Sequence, residues 1–264
     1  MRRSVVIFVA ATAFLSVLGA VALADTLIGT DGSDELPGTA LPDQIYGEAG
    51  DDDIAGGDGA DYLEAGSGND SIDGGGGVDL LIAGTGDDRA NAGPGNDVVY
   101  AGAGDDLVTG DEGADTLFGQ AGTDRLFGGS GRDRIYASLG EDFVAAGSGA
   151  DRVSSDEGNV TVMGGGGNDV ITLSGGDVQV QGGSGGDRIR TGDGDDTVGG
   201  GRGGDSIASG AGDDLITVRD NRRDVVRCGP GHDAVEADPS DTLSGCEDVT
   251  TGGLLPGRRG RGRR

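Results

Sequence analysis

Between Gly29 and Thr217 the chain repeats itself every nine residues, 21 times in succession, without one insertion or deletion. Typical units read Ala65-Gly-Ser-Gly-Asn-Asp-Ser-Ile-Asp73 and Gly128-Gly-Ser-Gly-Arg-Asp-Arg-Ile-Tyr136. The fourth position is Gly in 20 units, the exception being Leu41. The sixth is Asp in 19, the exceptions being Val160 and Val178, and the eighth is Leu, Ile or Val in 20, the exception being Ala90. A lone nonapeptide buries almost nothing, so a chain of this kind gains stability only by stacking repeat on repeat. Composition agrees. With 59 Gly and 3% aromatic residues there is no material for an ordinary globular core. A net charge of −28 would leave the chain disordered unless stacking or a neutralising ligand offsets it.

The columns have separate physical roles. The Gly-rich first half allows turn conformations closed to residues with a Cβ. The Asp presents a hard carboxylate oxygen beside exposed turn carbonyls, the donor set that Ca²⁺ prefers. The other reading of that column is a row of Asx-turn residues that bind no metal. The eighth residue sits in the middle of a short extended triplet, and is expected to be the one inward side chain of each unit.

This G-G-x-G-x-D-x-U-x pattern resembles the RTX (repeats-in-toxin, haemolysin-type) calcium-binding repeat. The resemblance implies an all-β fold, a parallel β-roll or β-solenoid of 18-residue coils. Each coil takes two nonapeptides, and the strands form two facing parallel sheets. It also implies calcium ions between turns one coil apart, held by Asp carboxylates and turn carbonyls. At the usual strand spacing, ten and a half coils would make a rod about 50 Å long.

A coil of two nonapeptides sorts the Asp column onto two edges. One carries Asp43, Asp61, Asp79, Asp97, Asp115, Asp133, Asp151, Asp169, Asp187 and Asp205 without interruption. The other carries Asp34, Asp52, Asp70, Asp88, Asp106, Asp124 and Asp142, then Val160 and Val178, then Asp196 and Asp214. The expectation is one continuous calcium ladder opposite a ladder broken around 155–181, with up to about 16 ions and a first site weakened by Leu41. The valines read either as drift in a redundant ladder or as a hinge or partner site.

Beyond Thr217 the frame slips by one residue and recovers, so that Asp224 and Asp233 are weaker ligand candidates. Cys228 and Cys246 are separated by two repeat lengths, one coil, which brings stacked Cα atoms within disulfide range. A bridge is expected there, against two free thiols or an intermolecular link. This segment resembles the Cys-bearing termini of secreted calcium-binding repeat proteins. The domain division is therefore 1–24 leader, 25–217 roll with its repeats at 29–217, 218–251 capping coils, and 252–264 an Arg/Gly-rich disordered tail. The leader is inferred from Arg2 and Arg3, the apolar run Val5 to Leu18, and Ala22-Leu23-Ala24 as a small-x-small cleavage site. The expected location is extracellular, with no membrane span in the mature chain.

Function classes narrow in the same way. All 19 basic residues are Arg, which removes the P-loop, the Schiff-base lysine and the Ser-Lys hydrolase motifs. So acidic a chain is not expected to bind nucleic acid. His232 is the sole His and occupies the variable fifth position of a repeat, so no enzyme is expected. A toxin lacks a pore-forming segment here, and an ice-binding solenoid lacks outward Thr ranks. What remains is a secreted, non-enzymatic calcium-binding repeat protein that folds on binding calcium, with a structural, adhesive or sequestering role. The alternative is an accessory module or remnant of a secreted RTX hydrolase or adhesin. Envelope or self-association contacts could run through an outward stripe at Tyr100, Phe118 and Tyr136, or through the Arg-rich tail. Inter-coil stacking is the competing reading of the stripe, and a solvated segment that of the tail.

Overall fold

The computed structural model describes Ala24 and residues 26–251. The leader expected over 1–24, but for its last residue, and the tail at 252–264 fall outside them. The described residues form 27 short parallel strands and no helix. Successive strands alternate between two sheets, as expected for a parallel β-solenoid. One sheet has 13 strands, from Thr26–Ile28 to Thr242–Ser244. The other has 14, from Glu35–Thr39 to Asp248–Thr251. One of the 14 is a two-residue stub, Glu112–Gly113, that pairs beside Arg125–Gly131. Partners are one coil of two nonapeptides apart from Thr26↔Gln44 to Arg188↔Ser206.

Three side chains per nonapeptide face the interior, not one. Asp61, Leu63 and Ala65 are 3%, 0% and 0% exposed, and the same alternation recurs in every well-formed unit. Extended backbone begins at the Asp and runs into the next unit, so a period of two puts the sixth, eighth and following first positions on one face. The first position is accordingly Gly or Ala in 17 of the 21 units. It lies across the turn from the Asp five residues on, and beside a carboxylate it is never larger than Thr191 or Ser209, opposite Asp196 and Asp214. The turns themselves need Gly at selected points: Gly77 has φ +150°, and a methyl group there would overlap the Gly59 carbonyl oxygen one coil away.

The valine gap is repacked. Ser155 stands opposite Val160 across its turn and Leu173 opposite Val178, in place of the usual small residue and Asp. Val160, Leu173 and Val178 are all buried in the core cluster. The Ser155 hydroxyl lies 2.9 Å from the Ser138 carbonyl oxygen and 2.7 Å from that of Glu157. Strand pairing runs through without a break, from Phe143↔Thr161 to Thr161↔Gln179 and Gln179↔Thr197.

Past the repeats the coil length changes. Ser206 pairs with Val225 and Leu215 with Ala234, a coil longer by one residue, where the sequence slips. Val225 then pairs with Thr242 and Ala234 with Asp248, across shorter coils. Cys228 and Cys246 are bridged, with Cα atoms 5.3 Å apart. Their separation in sequence, equal to two nonapeptides, does not report a regular coil. Arg227 stacks on Ser244, so Cys246 sits one residue past the position opposite Cys228.

Leu173 fills space that a Gly or Ala leaves to a carboxylate elsewhere. Leu173→Ala should cost about 2–5 kcal/mol and reduce amide protection locally over 155–181. Hydrogen exchange on the calcium-loaded chain is the check.

Candidate metal sites along the two edges

Each Asp of the sixth position enters a strand with its carboxylate turned inward, beside the turn that precedes it. Its Oδ1 accepts the backbone N–H of the Asp one coil earlier, at 2.7–3.0 Å throughout. On the uninterrupted edge the row runs from Asp43 to Asp205 and on through Asp224 to Asp241. On the other edge it runs from Asp34 to Asp142, stops at the valines, and restarts where the Val178 N–H donates to Asp196. It continues through Asp214 and Asp233 to Glu247. The expected break thus has a defined form: at 160 and 178 no carboxylate meets the preceding coil.

The second oxygen is left over. In 18 of these Asp residues Oδ2 is buried and has no hydrogen-bond partner. The two first members of the rows differ. Oδ2 of Asp34 accepts from the Thr30 N–H at 2.6 Å and hydroxyl at 2.9 Å, and Oδ2 of Asp43 from Thr39 in the same way. In these two the second oxygen is used within the preceding turn, by the Thr four residues earlier.

Such a row of half-satisfied carboxylates fits a hard cation. A methyl group placed on Gly110 would come within 2.6 Å of both Asp115 Oδ2 and the Gly128 carbonyl oxygen, so a carboxylate and a carbonyl converge on one small space. Gly119 stands likewise before Asp124 Oδ2 and the Ala137 carbonyl, at 2.6 and 2.8 Å. No three His, Cys, Asp or Glu side chains form a metal cluster among the described residues. Any site is therefore assembled from carboxylates of successive coils together with backbone oxygens, a donor set suited to Ca²⁺.

Electrostatics point the same way. Burial, followed by repulsion from neighbouring Asp residues, pushes Asp115 and Asp124 up to about 7, against hydrogen bonds that lower them. Asp52, Asp79, Asp88, Asp151 and Asp224 are pushed up to about 6 for the same leading reason.

Two features were missed in the sequence. Asp241 and Glu247 end the two rows, although each keeps the acid-x-apolar half of the repeat in Asp241-Thr-Leu243 and Glu247-Asp-Val249. The fifth position is not merely variable. On the interrupted edge Asp51, Asp87, Asp105, Asp177, Asp195 and Asp213 each accept, through Oδ1, a backbone N–H from the following coil at 2.8–2.9 Å. This outer row is exposed and opposite in direction to the inner one. The recurrence of Asp or Asn at this position, coil after coil, was its signal. His232 joins it through its backbone N–H, with its ring 3.8 Å from Asp248 Oδ2. The outward rings of Tyr100, Phe118 and Tyr136 stack face to face, with centroids 4.6 and 4.7 Å apart, which is the inter-coil reading of that stripe.

The raised carboxylates make a signed prediction. Their folded pKa values exceed the unfolded ones, so their contribution is fully present at about pH 4 and below, and is lost as pH rises through 6 to 7. In excess EDTA, acidification from about pH 8 to 5 should therefore increase β-structure, protons replacing the missing charge. With calcium present the same acidification should raise the calcium concentration needed for folding. Circular dichroism in the two conditions reads both slopes.

Residues 28–216 match, in overlapping blocks (28–63, 37–72, 55–90, 82–117, 109–144, 118–153, 145–180 and 181–216), the RTX calcium-binding nonapeptide repeat (4 copies). None of the curated proteins matches the chain. Among solved structures, a similar one is a hyperactive, Ca²⁺-dependent, β-helical antifreeze protein from an Antarctic bacterium, at 19% identity and a TM-score of 0.37. That match covers 78% of this chain and 83% of the other, and is too distant to bear on function. The repeat match, the coil of two nonapeptides and the buried Asp rows agree: the chain belongs to the RTX calcium-binding nonapeptide repeat family.

Proposed function

We propose that this chain is an exported, non-enzymatic calcium-binding protein whose folding and ion binding are one event. The observation that carries this is the pair of buried rows of Asp Oδ2 atoms without partners. The ligands are the inner-row Asp residues whose Oδ2 is free, with Asp34 and Asp43 serving their turns instead. Between consecutive free carboxylates there are eight intervals on the uninterrupted edge, and five before and two after the break on the other. The upper limit is thus 15 ions.

Bound there, calcium supplies the positive charge and the oxygen coordination that the rows lack. Everything else is done by the chain. Oδ1 holds each turn to its neighbour, the small first position leaves Oδ2 uncovered, and the Gly-rich turn brings carbonyl oxygens alongside. Without neutralisation, stacked carboxylates about 5 Å apart oppose closure of the coil. Export is supported by the leader pattern in residues 1–24. The non-enzymatic reading is supported by a sole His that is exposed at the cap, and the role proposed with it is structural, adhesive or sequestering. Among the described residues no helix is long and apolar enough to cross a membrane.

Calcium titration followed by circular dichroism tests the coupling. The chain should be largely unfolded in EDTA and fold at about 10⁻⁴–10⁻³ M calcium, reversibly. A chain fully folded in EDTA at pH 8 would sink the proposal. Asp115→Asn or Asp133→Asn keeps a ladder oxygen but removes a charge, and should raise the calcium midpoint several-fold. Asp34→Asn should leave it nearly unchanged.

A further inference from the structure

Charge is not spread evenly around the roll. On the interrupted edge, the eleven turns from Thr30–Ser33 to Gly210–Asp213 hold twelve acidic residues and no Arg. The eleven turns of the opposite edge, from Thr39–Pro42 to Asp220–Arg223, hold four acids and four Arg. These counts leave out the inner Asp rows. The outer face of the 13-stranded sheet differs again. Its outward positions from Leu80 to Ser244 contain no acid at all, but five exposed Arg residues: Arg134, Arg152, Arg188, Arg190 and Arg227. None of the five makes an ion pair among the described residues, in a chain with 47 acids.

Both arrays are ordered and share one repeat. The outer-row carboxylates of Asp51, Asp87, Asp105, Asp177, Asp195 and Asp213 are each held by an N–H at Oδ1, one coil apart or a multiple of it. The arginines sit on the same coil spacing. Arg134 pairs with Arg152 on the next strand, Arg188 and Arg190 share one strand, and Arg227 lies two strands beyond Arg190.

We propose that the arginine face of the 13-stranded sheet docks against the acidic edge of a second copy of this chain, with the rods side by side. A coil rise of about 4.8 Å is common to both surfaces, so a register that matches one Arg to one carboxylate matches several at once. The two surfaces are different and every copy carries both, so the contact is heterologous and can repeat from copy to copy. Face-to-face pairing of two identical sheets would instead oppose Arg to Arg. The interaction needs the folded roll but not any particular assignment of ion ligands.

Sedimentation of the full chain in calcium tests this, once circular dichroism has shown each sample to be folded. The wild type should at least double in mass as its concentration rises in about 0.05 M salt. It should return to monomer at about 1 M, where the screening length is about 3 Å. A face variant (Arg134→Gln, Arg152→Gln, Arg188→Gln, Arg190→Gln) and an edge variant (Asp177→Asn, Asp195→Asn, Asp213→Asn) should each be monomeric. Mixed, they should form a dimer and nothing larger, since each supplies the surface the other lacks. A monomeric wild type, association that survives in either variant, or a mixture that stays monomeric overturns the proposal. So does association lost on replacing Arg258, Arg259, Arg261, Arg263 and Arg264 by Gln, which would make the tail the partner.

Discussion

The hydrogen bond from an Asp backbone N–H to the Oδ1 of the Asp one coil on recurs along both edges, and most of the architecture answers to it. It fixes the turn-to-turn register where the chain leaves the turn, alongside the backbone pairing that runs through many of the turns themselves. It also draws the carboxylate inward, so that one oxygen is used and the other is buried without a partner. The carbonyl-lined turn, the shifted acid constants and the requirement for a small first residue are all consequences of placing a charged group there.

The interior is correspondingly thin. One aliphatic side chain per nonapeptide is flanked by an Asp on one side and a Gly or Ala on the other, so apolar burial per coil is small. The exchange at residues 155–181 shows that this is a choice between two ways of filling the same volume. Where Asp gives way to Val, the opposite position becomes Ser155 or Leu173. A carboxylate beside a small residue is replaced by Val160 beside the hydrogen-bonded Ser155 and by the apolar pair Val178 and Leu173, while the strand pairing beyond them is undisturbed.

Much of this was legible in the sequence, because a strict nine-residue period dictates coil, sheet and edge together. The two Asp rows and the location of the break followed from counting. The inward direction of Asp and of the first position is not legible in the pattern, because only the three residues around the aliphatic one carry a strand signature while the extended backbone runs past them on both sides. Nor is the fate of each carboxylate oxygen, which depends on whether the second residue of the nonapeptide is a Thr with a hydroxyl to offer, as at Thr30 and Thr39. The cysteine spacing gave the correct bridge through a coincidence of number. A shortened coil and a one-residue offset together yield the same separation as a regular repeat.

The inner row also has a direction. Each coil receives its acceptor from the coil that follows it in sequence, and the series ends on Asp241, inside the bridged segment, and on Glu247, one residue past it. A chain that emerges amino terminus first therefore presents, at every moment, a leading stack whose newest turn still lacks its acceptor. The growing roll stays open at its trailing end until the last two acids arrive, so the cap is the piece that declares the structure complete. A truncation there leaves one unanswered N–H on each edge, whatever its length, and the damage enters from the carboxyl end.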